Sequence, residues 1–225
     1  MRVSRVQQER TIRLISTAHH KPPVLSSLAD SFGTLTDLEA LESVTSGRLD
    51  AEQKGIPGIA PAALATGYGY TYVNAAFAYA RPFGNRFNPQ QWGAWYCAFD
   101  PTTSLQEIEF HLTRALEAAG GYYDNTTRYV ELLADFDADF ADLRGIEPAP
   151  PCLHPDVGIG YPEGQQLATQ LRGGGANGLV YPSVRRIGGI CLVVFWPALI
   201  RNFQMGATWE LQWTGSPEPT ISAVA

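Results

Sequence analysis

Residues 11–17 (TIRLIST) alternate apolar and polar side chains, the period of a strand with one face buried. In that register Arg13 and Ile15 share one face, and Ile12 and Leu14 share the other. A longer period follows. Leu28, Leu35, Leu38, Leu41, Val44 and Leu49 recur near helical spacing, which predicts helix over 24–49 with a break at Gly33. Thr36 with Glu39 makes a capping box for the second piece, and Gly47 suits its end. Residues 55–69, rich in Gly, Pro and Ala, predict a loop, and 70–80 (YTYVNAAFAYA) a buried helix.

Further along, residues 94–99 read as a strand. Asp100 then stands as N-cap with Pro101 in the first turn, opening a helix through Leu105, Ile108, Leu112 and Leu116 that Gly120 and Gly121 end. Strands are predicted at 127–134, 178–184, 190–196 and 209–213, with one more edge in the tail after Gly215. A short helix is predicted at 165–172, closed by Gly173, Gly174 and Gly175, and the prolines around 148–151 read as linker. Strands and helices mix without regular β–α alternation, so the fold class expected is α+β. Residues 1–225 are expected to form one domain, with 24–80 a largely helical N-terminal elaboration.

Charge narrows the function. A formal net charge of −6 argues against a dedicated nucleic-acid binder, which would carry a basic face, but leaves room for a local basic cleft. Cys97, Cys152 and Cys191 are far apart, with no CxxC pair and no Cys/His cluster, so neither a disulfide frame nor a zinc site is expected. The adjacent His19 and His20 read as surface residues. The acids between Asp135 and Asp142 raise the rival of a metal-dependent hydrolase, but they lack the glycine and terminal glutamate of a calcium loop. The polar N-terminus lacks the apolar core of a signal peptide, and Pro197 interrupts the longest apolar run, 190–200; a soluble cytoplasmic protein is expected.

The common nucleotide and hydrolase motifs are absent: no GxxxxGK[ST], no strand–GxGxxG–helix, no GxSxG. What remains is a constellation. Arg86 lies in a polar turn, Tyr96 on the strand after it and Glu107 on the first turns of the capped helix. Ser183 and Arg185 come from a second strand end. Taken singly, each has an ordinary reading: surface charge, core aromatic, helix-dipole acid, edge serine.

In combination, GNRFN, AWYCA, DPTTSLQEI and GLVYPSVR follow one another in an order that resembles the RES-domain family, named for an arginine, a glutamate and a serine. RLISTAHHKPP, LEALESVTSGRL, YVNAAFAYA and ICLVVFWPALI extend the resemblance to the family's longer members. Phe87, where Trp is commoner, and Ser104, where Ala is usual, depart from the pattern. The resemblance implies an ADP-ribosyltransferase-like core of mixed and antiparallel sheets flanked by helices. It implies a NAD⁺-consuming toxin, with NAD⁺ as substrate and no metal, partnered by an antitoxin with an Xre-like helix-turn-helix. Neither direct nucleic-acid binding nor membrane association is implied. Arg86, Tyr96, Glu107 and Ser183 match the family's active positions, and Arg13 an N-terminal arginine.

Those residue types suit the chemistry. Arg86, helped by Arg13, can clamp a pyrophosphate, and Tyr96 can stack on the cationic nicotinamide. Glu107 can stabilise the oxocarbenium-like centre left when the nicotinamide–ribose bond breaks, with Ser183 bonding the ribose or holding Glu107. The acceptor of ADP-ribose stays open between water, phosphate and a protein side chain. The rival from another class is a non-catalytic partner-binding protein on the same scaffold.

Overall fold

The computed structural model describes residues 1–17, 55–56, 58–78 and 82–224. The helix expected over 24–49, the two adjacent histidines and the end of the 70–80 helix lie outside the described residues. Among the described residues, seven strands and three α-helices follow in the order β1 (Arg2–Ser16), α1 (Tyr70–Ala78), β2 (Trp95–Ala98), α2 (Pro101–Ala118), β3 (Asp124–Asp142), α3 (Val157–Gly173), β4 (Gly178–Pro182), β5 (Ile190–Val194), β6 (Arg201–Thr214) and β7 (Thr220–Val224). This is an α+β protein.

The sheet runs β1-β2-β5-β4-β3-β6-β7, and β1 also pairs with β3, so five of the strands form a closed circuit of pairings. Only β3 and β4 are parallel. Closure gives the sheet two differently filled faces. Trp95 and Cys97 of β2 join Leu132, Val180, Leu192 and Val194 in one core, against which Phe77 of α1 packs. Ala98, Tyr181, Cys191 and Val193 face the other way, towards α3. Ile12, Leu14 and Leu133 continue that side beneath Leu105 of α2.

β1 and β3 are longer than their alternating centres predict, and they pair from Arg2↔Asp142 to Ser16↔Tyr129. The extra length is polar at its margins and is held by partners that periodicity does not register. Asp135 accepts from the backbone N of Arg10, whose φ of 52° marks a bulge, and from Asn202. Asp137 pairs with Arg5, and Asp142 accepts from Arg2 and Arg144. The acidic run is thus a strand stitched by cations and bulges, and among the described residues no group of metal-ligating side chains gathers there.

Asp142 is buried, and its hydrogen bonds from Arg144 first of all hold its pKa well below the usual carboxylate range. A depressed folded-state pKa contributes stability that is full above the unfolded value of about 3.9 and is lost as pH falls below it. The stability gap between the native chain and Asp142→Asn is therefore expected to be constant above about pH 5, and to shrink from about pH 4 downward. Denaturant melts across that range check it; a gap that widened on acidification would contradict it.

Candidate active site

The site begins at the start of α2. Asp100 caps the helix, accepting from the backbone N of Thr103 at 2.9 Å and from its hydroxyl at 2.7 Å, with Pro101 in the first turn. Thr103, Ser104 and Leu105 are buried, and Ser104 donates to the carbonyl of Ile12 at 2.7 Å, fastening α2 to β1. The serine that departs from the family pattern thus has a structural use. One turn later Glu107 emerges over the end of β4.

There Ser183 donates to Glu107 Oε1 at 2.6 Å. Its own oxygen accepts from the backbone N–H groups of Arg185 and Arg186, both at 3.1 Å. With those donors on its lone pairs, the hydroxyl proton has the carboxylate as its acceptor, a short charge-assisted bond. The turn that carries Ser183 is itself pinned. Arg186 Nη1 donates to Asp100 Oδ2 at 3.0 Å and to Thr103 Oγ1 at 2.9 Å, tying the turn to the helix cap. Gly189 closes it; a Cβ there would lie 2.7 Å from Thr103 Oγ1 and 3.2 Å from Ser183 Cβ, so only glycine lets turn and helix approach this closely. Cys191 Sγ is 3.9 Å from the same Glu107 oxygen, and burial first, then the glutamate's charge, push its pKa well up and keep it a thiol.

The second wall is the 84–88 turn. The Tyr96 hydroxyl donates to Asn88 Oδ1 and accepts from the backbone N of Phe87, both at 2.9 Å, so it serves the turn and leaves the partly exposed ring for other contacts. Burial raises the Tyr96 pKa far above the ordinary tyrosine value, so it stays a neutral donor. Arg86 is buried, with Nη1 donating to the carbonyls of Cys152 at 2.8 Å and His154 at 3.0 Å. Its guanidinium lies over the Tyr161 ring, 5.3 Å from the centroid. α3 covers it by glycine: a Cβ at Gly160 would meet Arg86 Nη1 at 2.5 Å, and one at Gly164 the Arg86 carbonyl oxygen at 2.1 Å.

α3 runs from Val157, capped by Asp156, through Pro162. It is twice as long as the helix read over 165–172, because Gly158, Gly160, Pro162 and Gly164 look like breakers when their neighbours are unknown. The four-residue spacing of Gly160 and Gly164 behind a capping aspartate was the available signal.

Glu107 and Ser183 are therefore in contact, and Arg86 and Tyr96 meet through the 86–88 turn. Arg86, Glu107, Tyr96 and Cys191 all act electrostatically on the buried Tyr181, whose ring meets Phe87 edge-on at 4.7 Å. Arg13 reaches this group from the other face of β2. Ile12 pairs with Ala98, which puts Arg13 one residue along on the opposite face, its Cζ 5.1 Å from the Trp95 ring and its Nη1 donating to the Tyr96 backbone carbonyl at 3.4 Å.

Arg185, Tyr161 and His111 join them. Arg185 stacks on Phe110, its Cζ 3.3 Å from the ring centroid, and Tyr161 shares a 3.3 Å hydrogen bond with His111, one turn beyond Glu107 on α2. His111 was legible at the i+4 spacing; Tyr161 sat on an unrecognised half-helix.

The structure thus brings together a partly buried glutamate held by a serine, with arginines and aromatics near it on an α+β sheet. A RES domain model matches residues 62–214, more than half the chain, and the chain belongs to that family. Among solved structures, a chain of the M. tuberculosis MbcT–MbcA toxin–antitoxin complex is similar at 21% identity over 59% of this chain and 74% of that one, with a TM-score of 0.39. No curated protein matches.

Proposed function

We propose that this chain cleaves the nicotinamide–ribose bond of NAD⁺ and passes ADP-ribose to an acceptor, as the toxin of a bacterial toxin–antitoxin pair. The observation that carries the reading is the 2.6 Å bond from Ser183 to Glu107, beside the turn that carries Arg185 and Arg186. In the step proposed, the bond from ribose C1′ to the nicotinamide nitrogen breaks and its electron pair neutralises the pyridinium, leaving as nicotinamide. The sugar becomes oxocarbenium-like, and Glu107 stabilises that positive charge. A nucleophile then adds at C1′ and loses its proton, for which the same carboxylate is the nearest base.

Ser183 is a positioning residue in this scheme, since its lone pairs are used by the turn and its proton by Glu107. The Tyr96 ring offers a wall for the nicotinamide, and Arg86 supplies fixed positive charge from beneath α3. The family supports the toxin role, and the MbcT–MbcA similarity accords with an antitoxin partner, for which the Xre-like helix-turn-helix remains the expected form. Among the described residues no helix is long and apolar enough to cross a membrane, and the cytoplasmic NAD⁺ pool is the proposed substrate source.

Release of free nicotinamide from NAD⁺ by the purified chain tests the reaction. Radiolabelled NAD⁺ added to a cell lysate tests the acceptor: label on a protein band makes it a mono-ADP-ribosyltransferase, and label recovered as ADP-ribose or its phosphate makes it a hydrolase or phosphorylase.

A further inference from the structure

We propose that Arg185 is the residue that takes the diphosphate of the dinucleotide, an assignment that rests on the NAD⁺ reading above. Arg185 lies on the turn that holds Glu107 in place, its backbone N bonded to Ser183 Oγ at 3.1 Å. Its guanidinium is spread on Phe110, three residues past Glu107 on α2, and Arg114 lies near the same ring at 5.8 Å. Nε and Nη2 of Arg185 are buried and have no hydrogen-bond partner among the described residues. Those two nitrogens form one edge of the guanidinium, the fork that meets two oxygens of a single phosphate.

The neighbouring arginines are differently employed. Arg86 spends Nη1 on the carbonyls of Cys152 and His154, and Arg186 spends Nη1 on Asp100 and Thr103. Native proteins rarely leave a buried donor unpaired, and two on one cation need a reason. The local field supplies a direction. Burial, and then the charge of Arg86, hold the Arg185 pKa below the ordinary arginine value, with Glu107 opposing them. The attraction of an incoming anion acts against both.

The chain carries a net charge of −6, yet Arg114 and Arg185 share the Phe110 ring and Arg86 lies close enough to act on the charge of Arg185. The edge is covered in this structure, so taking a phosphate requires the guanidinium to turn on the Phe110 ring.

The test titrates ADP-ribose and inorganic pyrophosphate into the native chain, Arg185→Gln and Arg185→Lys, alongside steady-state nicotinamide release. Arg185→Gln is expected to weaken both ligands about 10- to 100-fold, the range for losing a charge-assisted fork. KM for NAD⁺ rises accordingly while kcat changes far less, and Arg185→Lys, a point charge without the fork, falls between. The melting temperature holds or rises, because a desolvated charge is removed.

Equal affinity of Arg185→Gln for both ligands overturns the assignment. So does a loss in kcat with KM unchanged, which would mean that Arg185 acts on Glu107. In either case the NAD⁺ reading stands if nicotinamide is still released. A native chain that neither releases nicotinamide nor binds ADP-ribose overturns the reading and the assignment together.

Discussion

Glu107→Gln is expected to lower the rate of nicotinamide release about 10²- to 10³-fold, an increase of about 3–4 kcal/mol in the barrier. The amide keeps the size of the carboxylate and can still accept from Ser183, so the change removes charge and little else. Ser183→Ala is expected to cost less, about tenfold, by keeping the carboxylate but removing its 2.6 Å tether. Because the serine works through the glutamate, the two losses are not independent. Adding Ser183→Ala to Glu107→Gln is expected to leave the rate close to that of Glu107→Gln alone. Turnover of the three variants under saturating NAD⁺ measures this. Full multiplicative losses would show that Ser183 has business with the substrate apart from Glu107, contrary to the bond geometry.

The largest expected effect on stability falls at Gly164. Alanine is a better helix former than glycine by about 1 kcal/mol, so Gly164→Ala in an open helix would stabilise. Here the added Cβ would lie 2.1 Å from the Arg86 carbonyl oxygen and 3.2 Å from its Cγ, and neither the turn nor the helix is free to yield. Net destabilisation of about 1–3 kcal/mol is expected, which is roughly 2–12 °C in Tm for a chain of this size. Gly173→Ala is the control. It lies in the same helix with nothing within 4 Å of its Cβ, and its Tm should hold or rise slightly. A thermal melt of Gly164→Ala that matched this control would contradict the close packing of α3 on the 84–88 turn.

Local chemistry made one half of the site readable. Asp100, Pro101 and the apolar spacing of α2 specify that helix from within, so Glu107 fell on its second turn as expected. The strands β2, β4 and β5 were readable for a related reason: they are buried on both faces and therefore apolar throughout. The other half depends on contacts distant in sequence. α3 exists as one helix because Gly160 and Gly164 are needed to clear Arg86, and helix propensity alone reads those glycines as breaks. The margins of β1 and β3 are polar, and only pairing between Asp137 and Arg5, and between Asp142 and Arg2, gives those residues a reason to be extended.

Arg13 shows what alternation alone leaves open. Its strand reads from the sequence, but the side of β2 it faces is fixed by the pairing of Ile12 with Ala98, which the sequence does not contain. Arg185 is a second such case. It stood beside Ser183 in the sequence, and only the buried Nε and Nη2 distinguish it from an ordinary turn arginine.

Mixing the purified chain with NAD⁺ and quantifying free nicotinamide over time, for the native protein and for Glu107→Ala, tests the proposed chemistry most directly. The native chain is expected to release nicotinamide as NAD⁺ is consumed, and Glu107→Ala to fall to a residual rate about 10²- to 10³-fold lower. No release from the native chain, or undiminished release from Glu107→Ala, would contradict it.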